Sequence, residues 1–491
     1  MKKNQPGLKS TLSPENGVLL NPATVQNHHN GVPKSTLSFS DAIALIVGIV
    51  IGAGIFRSPS LVAANTDSNS MFLLAWLAGG LVSLVGALCY AELTTAFPNT
   101  GGDYHFLSKA FGKKLSFLFA WARLSIIQTG SIALLAFIFG DYSSQIYSLG
   151  TYSSVIYASL VVIGLTGINC LGISFGAGAQ KLLTSLEVLG ILIVVVAGLF
   201  FAPSQPAPGA DAPMASADHA SAGLAMVIVL LTFGGWNEAA YISGEIRSGK
   251  KLLAKALFVS LAIITVIYLL VNLAFLRVLG LSNMAASDAV AVDLMRIIMG
   301  QPGVILIALI VAVSALTSAN ASIFTGARTN YSFGRDFKFF SGMGRWNHQK
   351  SVPMNAFLIQ GAISLGLVSM GLFTRSGFET MIEYTAPVFW FFFLMVGISL
   401  FVLRRKEPDA QRPFRVPFYP ITPLIFCSTS AYLLYSSIMY TGLGALVGIA
   451  VLLLGLVVMF ALKIKNKHTV SDEPPALFIN ELELKNESKR Q

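Results

Sequence analysis

The chain has 491 residues, 54% hydrophobic and only 11% charged, with a mean hydropathy of +0.69. A soluble protein of this length needs more charge to cover its surface, and one aqueous core rarely grows so large, so lipid is the solvent this composition suits. The net charge of +10 does not point to nucleic acid, because the Lys and Arg residues sit in short loops between apolar runs, the pattern of the positive-inside rule.

Each membrane span needs roughly 20 mainly apolar residues, so about twelve spans fill the chain. They are predicted over 41–64, 71–97, 115–140, 153–171, 182–202, 223–246, 254–279, 302–329, 353–374, 381–403, 417–440 and 443–464, giving an all-α polytopic membrane protein. The tails 1–37 and 466–491 read as disordered. Between them lie a first half over 38–202, a Pro/Ala/Ser-rich external loop over 203–221, a second half over 222–404, and two final spans with their preceding loop over 405–465. No apolar run follows the basic start closely enough for a cleaved signal peptide. Cys89, Cys170 and Cys427 fall in or beside apolar runs, which suits packed thiols rather than a disulfide framework or zinc cluster. No cofactor is expected.

Loop charge sets the orientation. Basic clusters follow spans two (Lys109, Lys113, Lys114), six (Arg247, Lys250, Lys251, Lys255), eight (Arg335, Lys338, Arg345, Lys350) and ten (Arg404, Arg405, Lys406, Arg412, Arg415). Lys2, Lys3, Lys9 and Lys34 precede span one, and Lys463, Lys465 and Lys467 follow span twelve. The alternate loops hold little beyond Arg277, Arg296 and Arg375. Both termini are therefore expected in the cytoplasm of a plasma (inner) membrane protein.

Span one contains Val50-Ile51-Gly52-Ala53-Gly54-Ile55-Phe56, and its glycines alone fit either close helix packing or a break. Span six contains Leu231-Thr232-Phe233-Gly234-Gly235-Trp236-Asn237-Glu238, a second interruption at the start of the second half. Paired interrupted helices in matching positions point to a carrier site. Unwinding frees N–H groups at the start of one half-helix and C=O groups at the end of the other. The N–H end suits a carboxylate and the carbonyls suit an ammonium, so a zwitterion is held without a charged side chain. The N–H groups of Ala53, Gly54 and Ile55 are the candidates for the carboxylate, and the carbonyls near Val50 and Leu231 for the amine.

These residues resemble the amino acid–polyamine–organocation superfamily, and within it the L-type amino acid transporters and their bacterial relatives. The resemblance rests on Gly52 to Phe56, Tyr90-Ala91-Glu92-Leu93 with Gly101-Gly102-Asp103-Tyr104, Phe233 to Asn237, Asn320 to Thr325 and Arg412 to Pro417. It implies a LeuT-type fold with two inverted five-helix repeats plus two helices, and amino acid transport by alternating access. It places the carboxylate contact on Ala53 and Gly54, the amine contacts on Val50, Leu231 and Gly234, and Asn237 in the substrate pocket. Two positions depart from the family pattern: Leu231 stands where relatives often carry a gating Phe, and Glu187 where many carry a lysine bridging spans one and eight. Animal relatives join a glycoprotein by a disulfide after span three, but the stretch Asp141 to Tyr152 has no Cys, so no covalent heavy subunit is expected.

Glu187 lies inside an apolar run, where a carboxylate must be paired, coordinated or protonated. It is a candidate proton carrier, or a cation ligand beside Ser318 and Ser322; the alternative is a structural, hydrogen-bonded glutamate. Glu238 either faces the substrate and favours a cationic side chain, or pairs with Arg57 or Arg123. Glu92, Asp103 and Glu245 read as inner-gate ion pairs or solvated ends. Thr129 either lines the pocket or packs, and Trp236 reads as packing. A polyamine or cationic amino acid carrier using Glu238 is the second reading. An enzyme is disfavoured because the six histidines lie in tails and loops, and a channel because the polar features are two local breaks rather than a stripe.

Overall fold

The computed structural model describes residues 43, 46–48, 50–98, 102–172, 177–201, 221–237, 250–347, 350, 352–374, 376–439 and 442–463. The tails, the loop 203–221 except Ser221, Gly101, Glu238 and Glu245 lie outside these residues. A helical piece through Val50 is followed by a 3₁₀ turn, Ala53–Phe56, and by α1 (Ser58–Ala64). Then come α2 (Asn69–Ala96), α3 (Asp103–Phe111), α4 (Lys113–Ala122), a π turn (Arg123–Ile127) and α5 (Gln128–Ile146). The first half closes with α6 (Ser153–Cys170) and α7 (Ala177–Phe200). The second runs α8 (Ala222–Thr232), α9 (Lys250–Ala285), α10 (Val290–Asp336), α11 (Met354–Ser369) and α12 (Gly377–Lys406). The last pair is α13 (Ile421–Met439) and α14 (Leu443–Ala461).

Among the described residues, nine helical segments are long and apolar enough to cross a membrane, and Ser185–Phe200 and Ala222–Thr232 are shorter apolar pieces. Leu74, Leu81, Leu160, Ile163, Val266 and Leu309 are exposed on helix flanks. Such surface is unfavourable in water and neutral against lipid tails. Helices approach closely where glycine permits: a methyl on Gly86 would lie 2.8 Å from both the Phe426 and Trp236 rings.

Two glycine kinks refine the predicted spans. Gly280 (φ +73°) interrupts α9 and Gly300 (φ +64°), followed by Pro302, interrupts α10. The segment 280–300 is thus set off from two long helices, close to the predicted limits 279 and 302, because left-handed φ is open to glycine and Pro suits a helix start.

Candidate functional site

Both glycine-interrupted segments leave helical geometry. The backbone is extended at Gly52 (φ −123°, ψ 179°) before the turn Ala53–Phe56, and no side chain caps that turn. α8 ends at Thr232, and Gly235 takes φ +109°, a conformation that strains any side chain. A methyl on Gly54 would meet Thr232 Cγ2 at 3.8 Å, so at this point the two breaks stand about one methyl group apart. Gly52, Gly54, Leu231, Gly234 and Gly235 are partly accessible, whereas Val50, Ile51, Ala53, Ile55, Thr232 and Phe233 are buried.

Tyr268 of α9, fully buried, ties the breaks together. Its hydroxyl lies 3.0 Å from the Val50 carbonyl and 3.3 Å from the Thr232 carbonyl. A single O–H cannot saturate two carbonyls, each with two lone pairs, so acceptor capacity remains at both helix ends. The Leu231 carbonyl accepts the Gly234 N–H at 3.0 Å and, like the other two, has a second lone pair. Thr232, next to Leu231, is the residue whose carbonyl shares that hydroxyl with Val50. Sequence reasoning missed Tyr268; the available signal was a tyrosine inside an apolar span, whose hydroxyl needs a partner when buried.

The other candidates separate by environment. Phe233 packs edge-on against Tyr268 (centroids 4.9 Å apart) and near Trp76 (6.3 Å), supporting Tyr268 from behind. Trp236 packs against Tyr90 and Phe393, and Asn237 is buried beside it. Thr129 is fully buried; its carbonyl receives Ser364 Oγ at 3.4 Å, and its own hydroxyl has no hydrogen-bond partner among the described residues.

Glu187 of α7 is 3% exposed and accepts a hydrogen bond from Ser314 of α10. Ser314, Ser318 and Ser322 are spaced four apart, so they share one helix face. Along that face Ser314 meets Glu187, Ser318 Oγ lies 3.9 Å from where a methyl on Gly52 would sit, and the Ser322 carbonyl receives Gln128 Nε2 at 2.9 Å. The partner of Glu187 is thus one turn before Ser318 and two before Ser322, on the face where both serines were expected beside it. α10 connects the carboxyl to the first break.

At the far end of α2, Glu92 is fully buried rather than solvated. It receives Arg404 Nε at 2.8 Å and Nη2 at 2.5 Å, and the Val416 N–H at 2.7 Å, with Arg412 Nε 3.5 Å away. Asp103 is also buried. Arg57, weighed as a partner for Glu238, is engaged by Asp141 and Asp288.

A family model described as amino acid permease matches residues 37–463. The chain is 28% identical to the b(0,+)-type amino acid transporter 1 of Rattus norvegicus, over 84% of this chain and 85% of that protein. It is 28% identical to the large neutral amino acids transporter small subunit 2 of Mus musculus, over 93% and 85%. It is 27% identical to the serine/threonine exchanger SteT of Bacillus subtilis (strain 168), over 88% and 98%.

Proposed function

This chain belongs to the amino acid permease family, and from that premise we propose that it is a secondary carrier gripping a free amino acid by its backbone groups at the two helix breaks. One observation carries this reading: the Tyr268 hydroxyl spans the Val50 and Thr232 carbonyls, so the ends of both half-helices meet at one buried point with no charged side chain in either break. The substrate ammonium takes the remaining lone pairs of those carbonyls, and the carboxylate takes the N–H groups of Ala53 and Gly54, with the Ile55 N–H, which donates to the Gly52 carbonyl at 3.4 Å, as a shared third donor. The pieces fit a LeuT-type arrangement of two inverted five-helix repeats plus two helices, with both termini cytoplasmic in the plasma membrane. Alternating access then amounts to moving the two half-helices about the fixed site.

The segments 50–56 and 231–237 contain no charged side chain, which favours a neutral amino acid. Leu231, without an aromatic face, leaves the side-chain end of the site more open than a Phe would. Glu187 is the proposed coupling group: a carboxyl on the Ser314–Ser318 face can exchange a proton while reporting to Gly52. The relatives' names span b(0,+)-type, large neutral and serine/threonine substrates, and one of them is an exchanger. Exchange and proton symport are both compatible with this site.

A thermal-shift screen of the purified full chain against the protein amino acids and polyamines, with and without sodium and at two pH values, tests the reading. A ligand at 100 times its Kd stabilises the folded state by about 2.7 kcal/mol. Stabilisation by a neutral amino acid is expected; stabilisation by polyamines alone would reverse the assignment.

A further inference from the structure

Arg57 sits directly after the turn Ala53–Phe56 and is only 3% exposed. Its Nη1 donates to Ser60 Oγ at 2.8 Å and to the Ser287 carbonyl at 3.1 Å. Its Nη2 donates to Asp288 Oδ1 at 3.3 Å, and its Nε lies 3.6 Å from Asp141 Oδ2. The guanidinium also stands 5.5 Å from the centre of the Phe378 ring. One side chain therefore joins α1, α5, the segment 280–300 and the start of α12. Glu379 lies within electrostatic reach of it, and the neighbouring Asp293 is occupied by Arg296 at 2.6 Å and Ser287 Oγ at 2.5 Å.

This cluster is at the opposite end of the bundle from the Glu92–Arg404 pair. Phe378 and Arg404 lie on the same helix, α12, about 39 Å apart at 1.5 Å per residue. By the loop-charge orientation, Arg57 is on the outer side.

We propose that Arg57 is the clasp of the outer gate, resting on the carrier reading above: α1 and the segment 280–300 part only when the guanidinium exchanges its protein partners for water. Arginine stays charged, so it cannot escape burial by losing a proton. Left buried without partners it is strongly unfavourable, so the closed state requires the Nη1 and Nη2 hydrogen bonds and the Asp141 counter-charge. Asp288 is 83% exposed, so water already stands beside one partner and can reach the clasp without crossing the core. Asp141, 19% exposed, is the more shielded partner, an ion pair at 3.6 Å that solvent screens less than it does Asp288. Because α1 continues directly from the uncapped turn, releasing Arg57 moves the N–H groups proposed for the carboxylate.

Cysteine labelling in nanodiscs tests this. Ala291 is fully buried at the start of α10, its backbone within reach of the Tyr142 hydroxyl, which itself donates to the Phe56 carbonyl at 2.6 Å. Ala291→Cys, in a chain with Cys89, Cys170 and Cys427 replaced by Ala, is treated with a hydrophilic maleimide. Ala110→Cys, buried at the opposite end, serves as the control. Arg57→Gln is expected to speed labelling at position 291 by about tenfold or more. Asp141→Asn gives an intermediate increase and Asp288→Asn about twofold or less, with labelling at 110 unchanged throughout. Equal rates at 291 in Arg57→Gln and its parent would overturn the proposal, as would parallel acceleration at 291 and 110, which marks general loosening. If Arg57→Gln does not fold, Asp141→Asn decides by the same criteria. Failure of the carrier reading would appear separately, as absence of any amino acid stabilisation of the parent chain.

Discussion

Tyr268 donates its hydroxyl to the main-chain carbonyl of Val50 at 3.0 Å, and the same oxygen is 3.3 Å from the Thr232 carbonyl. The contact holds the ends of two half-helices at one point, with Phe233 and Trp76 packed on the ring.

Tyr268→Phe keeps the ring and its packing and removes only the hydroxyl. A typical hydrogen bond contributes about 1 kcal/mol, so amino acid binding weakens roughly fivefold while the melting temperature moves little. Binding titrations on the purified variant check this; an unaltered Kd would show that the breaks are positioned without Tyr268.

Gly54 and Gly86 separate a binding glycine from a packing one. A methyl at Gly54 is in ordinary contact with Thr232 Cγ2 at 3.8 Å, so Gly54→Ala folds but places its methyl between the breaks. Transport is expected to fall without loss of stability. A methyl at Gly86 overlaps the Phe426 and Trp236 rings at 2.8 Å, and Gly86→Ala is expected to lower stability by about 1–3 kcal/mol. Uptake and melting measurements on the two variants should show opposite patterns.

Glu187→Gln preserves shape and a hydrogen-bonding oxygen for Ser314 but cannot exchange a proton. The pH dependence of uptake is expected to flatten, while Ser314→Ala shifts the profile and keeps it. A profile for Glu187→Gln that overlays the parent's assigns Glu187 a structural role.

Glu92 is buried with two arginines and a main-chain N–H directed at it. Glu92→Ala leaves Arg404 and Arg412 short of their counter-charge, and breaking a buried pair typically costs about 3–5 kcal/mol. A large drop in melting temperature is expected, and restoring the carboxylate with Glu92→Asp should recover part of it.

Much of this architecture is legible in residue order. Apolar runs predict membrane-crossing helices, of which nine are long and apolar enough among the described residues, and the glycines at 52, 54, 234 and 235 mark the breaks because weak helix propensity is a local property. What depends on long-range packing is not legible. That Thr232 rather than Leu231 shares a hydroxyl with Val50 follows from how the chain turns after α8 and from the approach of α9. Glu187 stood out in the sequence, but its partner Ser314 lies one helical turn before Ser318, because the relative height of α7 and α10 is not written in either. The sequence pairs Arg57 with no acid nearer than Asp67, and its contacts with Asp141 and the Ser287 carbonyl arise from elements distant in sequence.

The central claim is that recognition is of the amino acid backbone by two helix breaks. Equilibrium binding of one stabilising amino acid, its methyl ester and its N-acetyl form to the purified chain tests it most directly. The account predicts binding of the free amino acid and at least a tenfold loss, or about 1.4 kcal/mol, for each blocked form. Equal affinity for all three would contradict it.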